Sequence, residues 1–397
     1  MLRIALKMLI GDRAKYIGLL FGITFTSFLV TFAASYFAGF MTRGFALISE
    51  NPTVDVWVMD PAVDSTEHLT NISTADIYRV KSVDGVRYAA PLSVTDAEAI
   101  FPNGQFQKLQ VIGVDDATLL GLPPLKDGVL KTAIRSPDAA FFNAGGTAGK
   151  LQTPILKADQ WTTEPHLDVP TRSLAAGDVI LLNSHRVMIE GQAEALPRYP
   201  PRPLLYTTYS NAQNILPPER HRLTFILVMA QPGIAPTALA KRIHLATGLR
   251  AKTSDEFKTD TVRWFLVNSE DVGDIGAMLT MAISVGFGVT GVLLYMFTQE
   301  NLRQYAVLKA MGATSRLLLT MIFAQAGLCA LIGTGLGLGL CAIIGELASD
   351  FADYPFRMMW FTPLLGGVMV MLVAIVAAAI SARPVIKLEP GVVFAGR

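Results

Sequence analysis

Residues 300–316 read ENLRQYAVLKAMGATSR and lie between two long apolar runs of the chain. Apolar side chains recur here at the spacing of one helical face, which predicts a short amphipathic helix. These positions are Leu302, Tyr305, Ala306, Leu308 or Lys309, and Met311. Gly312 supplies a stop for this helix, and Thr314 can cap the next one. A segment that only reversed the chain would not need this pattern, so we expect residues 300–316 to present a surface.

Nearly uncharged runs predict four membrane-spanning helices. They cover residues 16–40, 275–298, 317–344 and 360–380. At about 1.5 Å per residue, each run is long enough to cross about 30 Å of hydrocarbon. Charged residues make up 16% of the 397 residues, against roughly 25% in soluble domains. A cleavable signal peptide is the alternative for the first run, but its apolar stretch is longer than a signal core of about 7–15 residues.

Basic residues flank these runs on one side and acidic residues on the other, which sets the predicted orientation. The basic flanks are Arg3, Lys7, Arg13 and Lys15, then Arg303, Lys309 and Arg316, and finally Arg383, Lys387 and Arg397. The acidic flanks are Glu270, Asp271 and Asp274, and Glu346, Asp350 and Asp353. We therefore expect residues 1–15, a short amphipathic segment, and residues 299–316 and 381–397 in the cytoplasm. Residues 41–274 and 345–359 are expected on the outer side.

Residues 41–274 have the composition of an ordinary globular domain, and their pattern predicts an α+β fold. Alternation at Val54, Val56 and Val58 predicts a strand. A helix ending near Val83 and a strand over 86–90 complete a first unit. A second strand–helix–strand unit is predicted over residues 223–230, 236–246 and 249–253. Two such units flanking an insertion predict a ferredoxin-like module with a β-rich subdomain inserted into it.

The predicted insertion carries a hairpin, and a helix follows the second unit. Strands over 97–101 and 106–113 flank Asn103-Gly104, a strong turn signal. Further strands are predicted over 178–182 and 186–191. Residues 254–268 are predicted to be a helix that continues straight into the second span as a rigid stalk.

The sequence lacks the residues that several classes of function require. A phosphate-binding Gly-x-x-x-x-Gly-Lys-Ser/Thr motif is absent, and the scattered histidines have no ligand spacing. The predicted spans carry no acidic or basic residue at mid-membrane, where ion-coupled transporters place their relay groups. A net charge of +1 argues against nucleic acid. We expect no catalytic and no metal site.

Small residues inside the third span predict close helix packing. Gly333 and Gly337, and likewise Gly335 and Gly339, are spaced four apart. Cys329 and Cys341 lie in the same run and are expected to be packing residues. The middle domain has no cysteine and must fold without a disulfide.

The surface predicted over residues 300–316 has two interpretations. Its basic residues could simply follow the positive-inside rule in a solvated loop. The mixture of charged, aromatic and methionine side chains favours a docking surface instead, because such residues anchor interfaces. The candidate docking residues are Glu300, Arg303, Tyr305, Leu308, Lys309, Met311 and Gly312.

The run RQYAVLKAMGAT at residues 303–314 resembles the segment after the second membrane helix of FtsX-like and MacB-like ABC transporter permeases, the type VII ABC superfamily. Within that family the chain is similar to DevC-like permeases. The resemblance implies that residues 299–316 are a coupling helix that docks on a separate ATPase subunit, and that the middle domain is a porter module with an insert.

The resemblance also implies the partners and the role of the chain. These are a homodimer of the permease, two copies of the ATPase, which bind ATP and magnesium, and an envelope adaptor with an outer-membrane channel. The chain itself would carry no cofactor. It would lie in the bacterial inner membrane and use the partner's ATP hydrolysis to move its periplasmic domain, a process called mechanotransmission, for export or extraction of a lipid or other amphiphile.

Other roles remain open at this point. FtsX-type proteins regulate cell-wall hydrolases, although their outer domain is normally smaller than residues 41–274. Lipoprotein-release permeases share the same architecture. A membrane receptor is a third alternative, but the short tail after residue 380 offers no signalling domain.

Overall fold

The computed structural model describes Met8, Gly11 and residues 13–126, 128–147, 149–162, 164–216 and 223–386. The predicted amphipathic N-terminus with Arg3 and Lys7, and the end of the tail with Lys387 and Arg397, lie outside the described residues, as does His221. The chain divides into two compact units. We call residues 1–40 and 270–397 the membrane unit and Met41–Ser269 the head unit.

The helices and strands are numbered here in chain order. The helices are α1 (Arg13–Gly44), α2 (Ala46–Ser49), α3 (Asp76–Lys81), α4 (Tyr209–Ile215), α5 (Pro236–Thr247), α6 (Ser254–Asn268), α7 (Glu270–Glu300), α8 (Leu302–Ala310), α9 (Ser315–Ala352), α10 (Phe361–Ser381) and α11 (Arg383–Ile386). The strands are β1 (Val56–Met59), β2 (Val86–Ile100), β3 (Phe106–Val114), β4 (Ala139–Asn143), β5 (Gln152–Pro154), β6 (Thr171–Ser173), β7 (Val179–Leu182), β8 (His185–Gln192), β9 (Leu204–Thr208), β10 (Phe225–Ala230) and β11 (Arg250–Thr253).

Within the described residues, four helices are long and apolar enough to cross a membrane, as the sequence predicts. They are α1, α7, α9 and α10, and they extend a few residues beyond the predicted runs because the helical backbone continues into the polar flanks. Among them, α10 packs against both α7 and α9.

Helix α1 meets each of the other three spans at a glycine. Added Cβ atoms at Gly286 of α7 and Gly366 of α10 would overlap Thr26 and Thr31 of α1. On α9, a Cβ at Gly337 would lie 2.5 Å from the Cβ of Ser27. Lipid tails are as apolar as the helices, so association in a bilayer depends on such close approach of backbones. One stripe of small and hydroxyl side chains on α1 therefore holds the bundle together.

The four glycines predicted to pack in α9 divide into two pairs. The prediction is confirmed for Gly333, whose added Cβ would lie 2.7 Å from Ile23 Cγ2, and for Gly337. It stays a prediction for Gly335 and Gly339, because a Cβ at either position would meet no atom of the described residues of this chain within 4 Å. Residues two apart on a helix differ by about 200° in direction, so the two pairs cannot share one face.

We expect Gly337→Ala to lower the free energy of unfolding by about 1–3 kcal/mol, because the methyl group must displace Ser27 and the Thr24 carbonyl. Gly339→Ala is the matched control. It adds the same methyl group to the same helix at an open position and should leave the stability unchanged or raise it by about 0.5–1 kcal/mol. Unfolding titrations in mixed micelles measure both, and equal effects of the two substitutions would contradict the packing described.

The head unit contains a nine-stranded sheet in the order β11-β1-β10-β2-β3-β9-β4-β8-β7. The first four strands, β11-β1-β10-β2, are antiparallel to their neighbours. They come from two strand–helix–strand units, β1-α3-β2 and β10-α5-β11, so the predicted α+β pattern is present. Everything between β2 and β10 is the insertion.

Long strand β2 belongs to both parts of the sheet. Its first half pairs with β10, and its second half pairs with β3. At its end, Ala99 and Ile100 also pair with β7, the last strand of the series. This additional pairing closes β2-β3-β9-β4-β8-β7 into a six-stranded barrel, which we call the inserted barrel. Apolar side chains such as Phe101, Val111 and Ile189 fill its core.

Two apolar layers cover the open part of the sheet. On one face, Val56 and Val228 pack with Leu239 and Ile243 of α5. On the other face, Trp57 packs with Leu47 and Ile48 of α2 and with Phe257 of α6. Period-two alternation in β1 sends its valines to the first face and Trp57 to the second, which explains the pattern of the sequence.

The prediction that helix α6 continues straight into the second span is wrong, because one residue interrupts the helix. Helix α6 begins at a capping box formed by Thr253 and Glu256, as its sequence favours, but it ends at Asn268. Ser269 follows in an extended conformation, with φ −91° and ψ 124°, and α7 begins at Glu270. The acidic residues Glu270 and Asp271 stabilise the start of a new helix, which explains why the helix is interrupted here.

Candidate functional site

Helix α8, which we call the connector helix, lies between spanning helices α7 and α9 and carries the candidate docking residues. It ends in a Schellman motif, in which Ala313 N donates to Leu308 O (3.0 Å) and Gly312 N to Lys309 O (3.1 Å). Gly312 has φ +96°, which favours glycine, and Thr314 accepts a hydrogen bond from Leu317 N (3.4 Å) as the cap of α9. The predicted helix, its stop and the following cap are confirmed.

The inner face of the connector helix packs into the membrane unit. Tyr305, Ala306 and Leu308 are buried, and the aromatic ring of Tyr305 is fully inaccessible. They join an apolar cluster with residues of α7, α9, α10 and α11, namely Leu294, Phe297, Leu318, Met321, Ile322, Ala378 and Val385. The connector helix is therefore joined to its neighbours by a continuous core.

Tyr305 also makes a buried polar contact. Its hydroxyl donates to Oε1 of Gln325 on α9 at 3.1 Å. Burial raises the pKa of Tyr305 to about 12, so the phenol keeps its proton at physiological pH and remains a donor. This buried hydrogen bond favours one rotation of the connector helix about its axis, because a turn of one residue would break it.

Lys309 provides a second polar contact, toward the end of the described chain. Its Nζ donates to the carbonyl of Ile386 in α11 at 3.3 Å. Because a cation near the C-terminus of a helix also interacts favourably with its last carbonyls, this contact caps α11. Lys309 therefore acts within the membrane unit in this structure.

The outer face of the connector helix is a stripe of exposed residues at helical spacing. It consists of Arg303, Gln304, Val307, Ala310 and Met311. Met311 is 71% exposed and Val307 is 41% exposed, so two apolar side chains flank a basic one on an accessible surface. We call these residues the exposed stripe. Glu300, the last residue of α7, and Gly312 are also exposed.

The candidate docking residues thus separate into two groups. Arg303 and Met311 lie on the exposed stripe, whereas Tyr305 and Leu308 are buried against the membrane unit. The prediction that Tyr305 and Leu308 are surface residues is wrong in this structure. Regular apolar spacing marks the face of a helix that packs on its own protein. The sequence analysis missed Val307. This residue could have been found as an apolar side chain that falls outside the regular spacing of the buried face.

Tyr305→Ala is expected to lower the free energy of unfolding by about 3–5 kcal/mol, because it leaves a cavity and removes the partner of Gln325. Arg303→Ala, two residues away on the exposed stripe, should change it by less than about 0.5 kcal/mol. Denaturant unfolding in detergent micelles provides the comparison. A loss of stability from Arg303→Ala as large as that from Tyr305→Ala would overturn the assignment of the two faces.

No metal site accompanies these residues in the part of the chain that the structure describes, since no group of three or more His, Cys, Asp or Glu side chains is placed to hold an ion. Cys329 and Cys341 are both buried in α9.

Residues 276–390 match the sequence model of a known family, described as the FtsX-like permease C-terminal domain. This region of the chain is an FtsX-like permease domain. The match covers α7, the connector helix, α9, α10 and α11, which are the elements that build the exposed stripe and its support. FtsX-like permeases are membrane subunits of ABC transporters, and they normally work with an ATPase partner. A comparison with curated proteins gives no match.

Three solved structures are similar to this chain over about half of its length. The periplasmic region of MacB from Actinobacillus actinomycetemcomitans is 14% identical, covering 56% of this chain and 96% of that one, with a TM-score of 0.36. The extracellular domain of the noncanonic ABC-type transporter YknZ from Gram-positive bacteria is 11% identical, covering 50% and 98%, with a TM-score of 0.33. A domain of a putative permease from Porphyromonas gingivalis is 12% identical, covering 51% and 90%, with a TM-score of 0.31.

Proposed function

We propose that this FtsX-like chain is the permease subunit of an ABC transporter, and that its exposed stripe docks on a separate ATPase subunit. The observation that carries the proposal is the two-sided connector helix. One face is anchored in the membrane unit through Tyr305 and Leu308, while the other exposes Arg303, Val307 and Met311. Interfaces use apolar anchors surrounded by charges that fix the register, and this stripe offers both.

A docking helix must be stiff to transmit work. Free energy released in the partner reaches the spans only to the extent that the partner's states bind the connector helix differently. A helix held only by its ends would absorb that difference as bending. Here the core around Tyr305 and the bond to Gln325 tie the connector helix to α9, and Lys309 ties it to α11. A push on the exposed stripe therefore moves several helices together.

The remainder of the proposal concerns the surroundings of the chain. The connector helix and both termini face the cytoplasm of a bacterial cell, and the head unit lies in the periplasm. Two permease chains form a homodimer with two ATPase chains, which bind ATP and magnesium, and an adaptor and outer-membrane channel complete the path. The β1-α3-β2 and β10-α5-β11 units form a ferredoxin-like porter module that carries the inserted barrel.

In this proposal the chain acts by mechanotransmission. Movement of α1 and α7 displaces the head unit, which acts on a lipid or other amphiphile that is already outside or in the membrane. The absence of acidic or basic residues from the centres of the spans supports this, since an ion-coupled path would need them. The tight glycine contacts around α1 also favour helices that move as a packed group over a wide channel between them.

Met311→Asp and Val307→Asp are expected to abolish retention of the ATPase subunit, because each places a desolvated charge at the centre of the docking surface. Neither residue packs in the core, so the stability of the chain should stay within about 0.5 kcal/mol. Co-purification of the tagged permease with its ATPase measures retention. Leu308→Asp is unsuitable, because Leu308 is buried and the substitution would also disrupt the membrane unit.

The matched control is Leu245→Asp, which introduces the same charge at an exposed apolar residue of the head unit. This variant should retain the ATPase at the wild-type level. Retention by Met311→Asp and Val307→Asp at that same level would contradict the proposed docking surface.

A further inference from the structure

Glu50 lies directly after α2, six residues beyond the end of α1, and its carboxylate is surrounded by donors. Arg198 contacts it with both terminal nitrogens, Nη1 to Oε1 at 2.9 Å and Nη2 to Oε2 at 2.6 Å. The backbone N of Leu196 donates to Oε1 (2.6 Å) and the hydroxyl of Tyr206 to Oε2 (3.1 Å). The four bonds join the start of the head unit to the connection between β8 and β9 and to β9 itself.

This network is almost completely shielded from water. The side chains of Glu50 and Arg198 are 3% and 5% exposed, and Tyr206 is fully buried. Burial lowers the pKa of Arg198, but Glu50, Tyr206 and Glu67 together more than offset it, so the pKa lies above its ordinary value. Buried ion pairs add little net stability compared with apolar side chains of similar size. Their known advantage is to specify one arrangement, here that of α2 relative to β9.

A second connection runs beside the first. The hydroxyl of Thr66 donates to the carbonyl of Gly44, the last residue of α1, at 2.6 Å. The next residue, Glu67, pairs with Arg202. Arg202 lies four residues after Arg198, so both connections from the end of α1 reach the same short segment, residues 198–203.

A third contact joins this segment to the helix that leads into α7. The rings of Tyr199 and Phe265 of α6 meet edge to face with centroids 6.3 Å apart. Phe265 in turn packs on Gly44, where an added Cβ would lie 2.5 Å from the ring. The C-terminal ends of α1 and α6 therefore pack on each other, and α6 also contacts Tyr199 of residues 198–203.

Residues 198–203 read RYPPRP, and the sequence analysis assigned them only to a loop. Each proline fixes φ near about −65°, so Pro200, Pro201 and Pro203 make the segment stiff. It continues without interruption into β9, which lies between β3 and β4 in the inserted barrel. Three contacts along its length hold this stiff segment, and it continues directly into a central strand of the barrel. Such a segment can pass on a displacement.

We propose that residues 198–203, the joint segment, transmit movement from the C-terminal ends of α1 and α6 to the inserted barrel, with Arg198 and Tyr199 as its positioning residues. This inference rests on the proposed function, in which ATP hydrolysis in the partner moves the head unit. It adds that side-chain contacts of the joint segment make the inserted barrel move with the spans. These contacts act in addition to the connection through strand β2, which the barrel shares with the rest of the sheet.

The test compares backbone hydrogen exchange of the full permease–ATPase complex in lipid nanodiscs, with ADP and with a non-hydrolysable ATP analogue. In the wild type we expect exchange in β3, β9 and β4 to differ between the two nucleotides. The triple variant Glu50→Met, Arg198→Met, Tyr206→Phe replaces the network by apolar side chains of similar size, which such sites tolerate. In this variant, exchange in the barrel strands should no longer differ between the two nucleotides. Retention of the ATPase and protection of β1 and β10 from exchange should be unchanged.

Two further variants make the result decisive. Arg172→Ala removes an exposed ion pair with Asp178 (2.6 Å), a pair remote from the joint segment in sequence, and should preserve the nucleotide-dependent difference. Tyr199→Ala removes the contact with α6 and leaves the buried charges in place, so it should reduce the difference. If the triple variant loses protection in β1 and β10, the result of Tyr199→Ala decides the question.

The outcomes separate this inference from the proposed function. A nucleotide-dependent difference that keeps its wild-type size in the folded triple variant, or in Tyr199→Ala, overturns the role of the joint segment and leaves ATPase docking intact. A wild-type complex that retains its ATPase but shows no difference in the head unit overturns mechanotransmission and this inference together. A wild-type permease that retains no ATPase contradicts the proposed function itself.

Discussion

The close approach of α1 to the other spans is the interaction on which the membrane unit depends. Thr26, Ser27 and Thr31 of α1 face glycines of α7, α9 and α10. Ser35 adds a hydrogen bond to Thr362 (3.2 Å) and accepts one from the backbone N of Arg357 (3.1 Å). In a bilayer these contacts replace the hydrophobic drive of a soluble core, because only shape and hydrogen bonds distinguish a helix from lipid. Any one of these spans can therefore move only if α1 moves with it or if its contacts with α1 are broken.

Helix α1 contributes residues to both units of the chain. Toward one end, Leu19 and Ile23 join the cluster that holds the connector helix. Toward the other, α1 continues to Gly44 and leads through α2 to the Glu50 network. The proposed function assigns to α1 the path by which work done on the exposed stripe reaches the head unit. The interruption at Ser269 means that α7 has no equivalent unbroken path into α6.

Much of this architecture could be predicted from local sequence patterns. Long uncharged runs specify spans because hydrocarbon tolerates little else, and Gly312 with Thr314 specifies the ends of helices through backbone geometry. It was harder to predict which face of each helix is buried. Tyr305 resembles an interface anchor in composition, and only its phase relative to Leu308 and Ala306 indicates that it is buried. Likewise Gly333 and Gly335 are chemically identical, and their roles differ only because they point in different directions.

Features that depend on distant residues could not be predicted. Closure of the barrel requires Ala99 and Ile100 of β2 to meet Leu181 and Leu182, and no local pattern encodes a pairing across that separation. The joint segment gave a clear loop signal through its prolines, but its partners Glu50, Glu67 and Phe265 lie far away in the chain. Sequence periodicity predicts elements, whereas the contacts that couple them arise from the tertiary fold.

The central claim is that the connector helix and the head unit lie on opposite sides of one membrane, joined by packed helices. Single cysteines at Arg303 and at Phe106, two exposed positions, test it directly once the buried Cys329 and Cys341 are replaced by alanine. A membrane-impermeant maleimide applied to intact spheroplasts should label the cysteine at position 106 and reach the one at position 303 only after the membrane is broken. Labelling of both positions in intact spheroplasts would contradict the account.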